Sequence, residues 1–282
     1  MMTKFLLVVF CFIIAMCQPV RSQSRLPDTT GGYRLVWFDE FNKDGPPDTS
    51  NWKYEHGFVR NHELQWYQPQ NAFCRNGLLT IEARREHLPN PNYVPQSANW
   101  KSNRQFIEYT SASMNTRGLH NWQYGRMVMR ARIPVDSGLW PAFWTLGVSK
   151  PWPSNGEIDI MEYYRNYLLA NIACGTATPS KAKWYSTKTP LNTFNADWSK
   201  SFHTWRMDWD KDAISLYVDD QLLNRVELRD LINQDGSNFN AFMQPHYLLI
   251  NMAVGGDNGG DPSSTAFPRR YEIDYVRVYQ KE

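Results

Sequence analysis

The chain is short of cysteine, of long apolar runs and of net charge, and each shortage removes a class of protein. Of four cysteines, Cys11 and Cys17 lie close to the N-terminus, leaving Cys74 and Cys174. A lone pair of thiols makes neither a disulfide framework nor a zinc cluster; two buried free thiols are the first reading, and one bridge in an oxidising compartment the alternative. The one uninterrupted apolar run, Phe5 to Met16, falls short of the ~20 residues a bilayer span needs, so no membrane span is expected. With Lys4 before it and Val20-Arg21-Ser22 after it, residues 1–22 read as a secretory signal, which makes the mature chain secreted or periplasmic. Ile14-Ala15-Met16-Cys17 leaves a lipid-anchored alternative, although Met16 stands where such an anchor wants a small residue. Removing that leader takes Lys4 and Arg21 and no acid, so a formal charge of +2 becomes neutral. No basic stripe remains to attract nucleic acid, and none is expected as a partner.

Helical periodicity, linkers and fixed-period repeats are also scarce. What is present instead is aromatic: 15% of residues, with 12 tryptophans. Such rings either fill a core or form platforms against which flat sugar faces stack. Short runs of alternating apolar and polar residues, separated by Gly, Pro, Asn and Asp, predict an all-β fold. They include Tyr33 to Phe38, Leu78 to Arg84, Tyr109 to Thr116, Tyr124 to Arg132, Ala142 to Leu146, Glu157 to Tyr163 and Leu169 to Cys174. His203 to Trp209, Ala213 to Val218, His246 to Val254 and Tyr271 to Tyr279 continue the series, with a hairpin tip at Asp219-Asp220 and one short helix around Val226 to Ile232. So many short strands in one domain, 23–282, favour a sandwich of two antiparallel sheets. A monomer is expected.

One strand is chemically odd. Glu157-Ile158-Asp159-Ile160-Met161-Glu162 places three carboxylates in an otherwise apolar segment, where an unused charge would be costly to bury. Alternation puts Glu157 and Asp159 on one face and sends Glu162 to the other. An extra residue near Ile160-Met161, forming a β-bulge, would restore all three to a common face. Two glutamates so placed suit glycoside hydrolysis, in which carboxyls flank the scissile bond, about 5 to 5.5 Å apart in retaining enzymes. Surface salt bridges or a calcium site are the alternatives, the latter disfavoured because calcium loops draw on Gly and Asn rather than an Ile-spaced strand.

That hexapeptide resembles the catalytic signature of family 16 glycoside hydrolases in its bulged form. Trp37-Phe38-Asp39-Glu40-Phe41, Asn61-His62-Glu63-Leu64-Gln65, Gly138-Leu139-Trp140-Pro141-Ala142-Phe143-Trp144 and Asp274-Tyr275-Val276-Arg277 resemble further family segments in the expected order. The resemblance implies a β-jelly-roll with a concave glycan-binding cleft, and endo-acting, retaining hydrolysis without a catalytic cofactor. Glu157 would be the nucleophile, Asp159 its assistant and Glu162 the acid/base, with a pKa raised by neighbouring negative charge. Trp140 and Trp144 would line the negative subsites, Asn61 and Glu63 would contact the glycan, and His246 would alter what the cleft accepts. Glu40, Gly77 and Asp274 match positions that hold a structural calcium in some members.

The substrate stays open at this level. An endo-β-1,3-glucanase resembling laminarinases is the first reading. An endo-β-galactosidase cutting mucin O-glycans, keratan-like chains or algal galactans is the second, and a non-catalytic lectin or a transglycosylase the third. The loop Gly255-Gly256-Asp257-Asn258-Gly259-Gly260-Asp261 lacks the Trp and Pro common after this Gly-Gly in laminarinases, and Cys174 replaces an aromatic. Asn90 to Gln105, with Trp100 inside, is expected to form another wall of the cleft.

Overall fold

The structure, a computed structural model, describes residues 29, 30 and 32–281; the leader, Cys11 and Cys17 lie outside the described residues. Two sheets form a sandwich. The seven-stranded sheet runs Ala182–Pro190, Tyr167–Gly175, Glu157–Tyr164, Leu139–Gly147, His246–Val254, Ser113–Asn115, Lys53–Tyr54, antiparallel throughout. The opposing eleven-stranded sheet is centred on Gly125–Arg132 and Arg269–Lys281 and contains one parallel pair, Gln65–Tyr67 with Phe106–Ser111. Between them Ile158, Ile160, Met161 and Tyr163 are buried in one cluster with Met127, Met129, Trp205 and Met207. This is the all-β sandwich the alternating runs predicted.

Three strands, His203–Trp209, Ala213–Val218 and His246–Val254, have the predicted bounds. The run Tyr109 to Thr116 is instead divided at Ala112, and its halves Phe106–Ser111 and Ser113–Asn115 belong to opposite sheets. The expected helix around Val226 is corrected: Gln221–Glu227 is a strand, and only Leu228–Asp230 turns, as a 3-10 helix. The reason is the hairpin tip. Val218 pairs with Gln221 across Asp219-Asp220, Asp219 takes a positive φ of 52°, and the returning chain finds a ladder partner. Cys74 and Cys174 are buried and unpaired with each other, as expected. Among the described residues no helix is long and apolar enough to cross a membrane.

Gly156, immediately before the carboxylate strand, needs to be glycine. Its φ is +77°, and a Cβ there would lie 2.7 Å from the Cβ of Ala241 and 3.1 Å from the Phe242 ring. Gly156→Ala is expected to destabilise the fold by about 1–3 kcal/mol, combining left-handed strain with overpacking. A thermal melt unchanged from wild type would show that this entry to the strand is not rigidly set.

Candidate active site

The bulge predicted from parity is present. On one side Glu162 pairs with Ala142 and Asp159 with Trp144; on the other Asp159 pairs with Asn171 and Glu162 with Leu169. Two residues, Ile160 and Met161, thus stand where each neighbouring strand places only one, Phe143 on one side and Ala170 on the other. Both are fully buried, so the bulge satisfies the core while turning Glu162 to the face already holding Glu157 and Asp159. All three line one cleft of about 660 Å³.

Each carboxyl is held differently. Glu157 is half-buried and accepts a hydrogen bond from Trp152 Nε1 at 2.6 Å. Asp159 is 4% exposed and accepts from Asn171 Nδ2 at 3.2 Å. Glu162 accepts from the same amide at 2.9 Å through Oε2 and from Trp140 Nε1 at 2.6 Å through Oε1. Burial is the main reason all three favour their protons. It raises Glu157, lifts Asp159 well above the carboxylate range with help from the charges of Glu157 and Glu162, and pushes Glu162 up to about 8. For Glu162 the expected cause, neighbouring charge, is therefore secondary to burial; Glu157 adds to the rise, and Trp140, Lys188 and Asn171 oppose it. A buried, proton-retaining Glu162 beside a half-exposed Glu157 supplies an acid and a nucleophile on one face.

The cleft crosses the strands. Trp140, Ala142 and Trp144 lie on one side of the carboxylate strand, with Asn251 beyond; Asn171 lies on the other, with Trp184, Ser186 and Lys188 beyond. Trp140 and Trp144 share the predicted face, and Trp144 Nε1 donates to Asn251 Oδ1 at 2.7 Å. Asn61 and Glu63 also line it. Glu63 is 2% exposed and accepts from Asn61 at 3.3 Å and Gln65 at 2.7 Å, so it orders its loop as well as facing the cleft. The insertion around Trp100 braces that loop from behind rather than walling the cleft. Trp100 packs against His62 at 5.0 Å, and Arg104 donates to the backbone oxygens of Glu63 at 2.6 Å and His62 at 2.9 Å.

One expected site residue, His246, is corrected. His246 is fully buried on the inner face, out of phase with Tyr247 and Leu249, which pack with Ala142 and Trp144, and with the cleft-lining Asn251. Its Nε2 meets the Ala241 carbonyl at 2.9 Å, its Nδ1 meets Thr145 Oγ1 at 3.0 Å, and burial lowers its pKa to about 4, so it is a neutral packing residue. The positions matched to a structural calcium have partners of their own. Glu40 is held by Arg277 through two bonds of 2.7 and 2.9 Å, Asp274 accepts from Arg130 at 2.5 Å, and Gly77 serves a left-handed turn with φ +73°. Among the described residues no group of three or more His, Cys, Asp and Glu is arranged to hold a metal.

Sequence reasoning missed Trp152, Asn171, Arg60 and the Trp184-x-Ser186-x-Lys188 alternation. Trp152 sits in a loop, where no periodicity marks it.

A β-sandwich with an open cleft and a buried acid beside a second glutamate defines a glycoside hydrolase. The chain belongs to glycosyl hydrolases family 16, whose sequence profile matches residues 58–277. The β-glucanase of Rhodothermus marinus is 36% identical over 270 residues, covering 90% of this chain and 87% of the relative. The catalytic domain of a Thermotoga petrophila endo-1,3-β-glucanase (laminarinase) superposes with a TM-score of 0.73 at 33% identity, over 89% of this chain and 98% of that one. A structure from work on endo-acting O-glycanases with which prominent human gut microbes initiate mucin breakdown superposes at 0.81, with 35% identity, over 90% of this chain and 93% of that one.

Proposed function

We propose that this enzyme cuts internal β-glycosidic bonds of a polysaccharide with retention of configuration. The observation that carries this is the bulge, which brings Glu157 and Glu162 to one face of a cleft lined on both sides of their strand. A chain laid across the sheet meets the carboxyls between its ends, which is endo action. Glu157 attacks the anomeric carbon as Glu162 gives its proton to the departing oxygen, leaving a glycosyl ester on Glu157. Glu162, now ionised, takes a proton from water, and the resulting hydroxide equivalent breaks the ester. Asp159, which holds its own proton tightly, supports Glu157, and Trp152 fixes the outer oxygen of that nucleophile.

The first reading of the substrate is a β-1,3-glucan, supported by the name of the Thermotoga endo-1,3-β-glucanase, to which the Rhodothermus relative adds only that it is a β-glucanase. A second, a galactose-containing mucin O-glycan, is favoured by a specific observation: at similar identity the backbone lies closer to the O-glycanase-related structure, 0.81 against 0.73. Incubation with laminarin, mixed-linkage glucan, agarose, keratan and a mucin glycan, followed by sizing of products, separates them. Oligosaccharides from laminarin alone support the first; products only from the galactose-containing glycans sink it. Monosaccharide released from chain ends would contradict endo action.

The reaction should fade in alkali. Glu162 must be protonated to act as acid, and its pKa is about 8, so kcat/KM is expected to fall above that pH. A profile flat to pH 10 would exclude Glu162 as the acid.

A further inference from the structure

The cleft is lined by two cations, and only one is neutralised. Arg60 pairs with Glu55 and lies over the Trp144 ring at 5.2 Å from its centroid. Lys188, on the far side of the carboxylate strand, forms none of the described hydrogen bonds or ion pairs. It belongs to the edge strand Ala182–Pro190, in which Trp184, Ser186 and Lys188 alternate on the cleft face and all three are exposed. An indole left 45% exposed in a sugar cleft is a stacking surface in search of a ring, and Lys188 lies four residues along the same face.

Lys188 also opposes the chemistry. Its partner by register, Leu169, pairs in turn with Glu162, and the ammonium pulls the proton affinity of Glu162 down, against its duty as acid. A neutral side chain would serve a neutral sugar without that cost.

Resting on the proposed endo-glycanase reading, we infer that Trp184, Ser186 and Lys188 form a subsite for a sugar bearing an anionic substituent, a sulfate ester or a carboxylate, whose charge Lys188 binds. Trp184 carries the ring, Ser186 offers a hydroxyl, and the bound anion offsets the field of Lys188 at Glu162. An anionic substrate thus restores the acid that the empty subsite weakens.

Matched substrates test this with the purified enzyme: laminarin and sulfated laminarin, desulfated keratan and keratan sulfate, desialylated and sialylated mucin O-glycans. The quantity read is the ratio of kcat/KM on the anionic member to that on the neutral one. In Lys188→Gln this ratio should fall about fivefold, the scale of a partly exposed ion pair, with Lys188→Arg recovering most of it. The wild-type alkaline limb should also lie higher on the anionic member, a shift lost in Lys188→Gln. A fall confined to the sulfated pairs assigns a sulfate, and one confined to the sialylated pair a carboxylate. Equal ratios in wild type and Lys188→Gln would overturn the inference alone. Cleavage of no member of any pair would overturn the proposed function, and the inference with it.

Discussion

Glu157→Gln is expected to lower kcat by roughly 10⁴-fold or more while leaving the fold intact. The amide has the shape of the carboxyl but no electron pair that attacks an anomeric carbon, so the covalent route closes. The fold should survive because Glu157 stands half-buried at the start of its strand, and the core beneath is built by Ile158, Ile160 and Met161. Trp152 Nε1, now 2.6 Å from a carboxylate oxygen, would meet the amide oxygen instead. The check is kcat on the accepted glycan beside a far-ultraviolet spectrum and a melt. Wild-type turnover in a folded variant would remove Glu157 from the mechanism.

Glu162→Gln should cost about 10²- to 10⁴-fold on a natural glycan and much less on an aryl glycoside, whose leaving group departs without a proton. The same change should raise stability. Glu162 ionises near 4.5 when free and near 8 in the fold, so the wild-type enzyme loses stability as pH rises through that window, while glutamine has no proton to give up. The melting temperature of the variant should therefore exceed that of wild type, by a margin that widens from about pH 4.5 to about 8. The raised values of Glu157 and Asp159 leave part of the slope in both proteins. A margin independent of pH would show that Glu162 is not protonated through burial.

The site's chemistry was readable because its residues break a pattern. Acids among isoleucines announce themselves, and the strict period of two in a strand makes the bulge a necessity once Glu162 must join Glu157. His246 was misplaced for the complementary reason. Every residue of His246–Val254 is buried, so that strand has no polar alternation to tell one face from the other. Only its pairing, Asn251 beside Ala142 on the cleft face, fixes the parity that turns His246 inward. Ala182–Pro190 escaped notice because an edge strand with one face in solvent keeps Lys, Ser and Thr and reads like a loop. Glu40 and Asp274 were unresolved by sequence for lack of their partners: Arg277 is 237 positions from Glu40, and only the folded sandwich brings them together.

The division of labour between Glu157 and Glu162 is tested most directly by azide rescue on an aryl β-glycoside of the accepted glycan. In Glu157→Gly, azide takes the place of the missing nucleophile, attacks once and inverts, so the α-glycosyl azide is expected. In Glu162→Gly the ester on Glu157 still forms, azide attacks it from the opposite face, and the β-glycosyl azide is expected. Opposite anomers in that order are the predicted result; the same anomer from both variants, or the reverse order, would contradict the assignment.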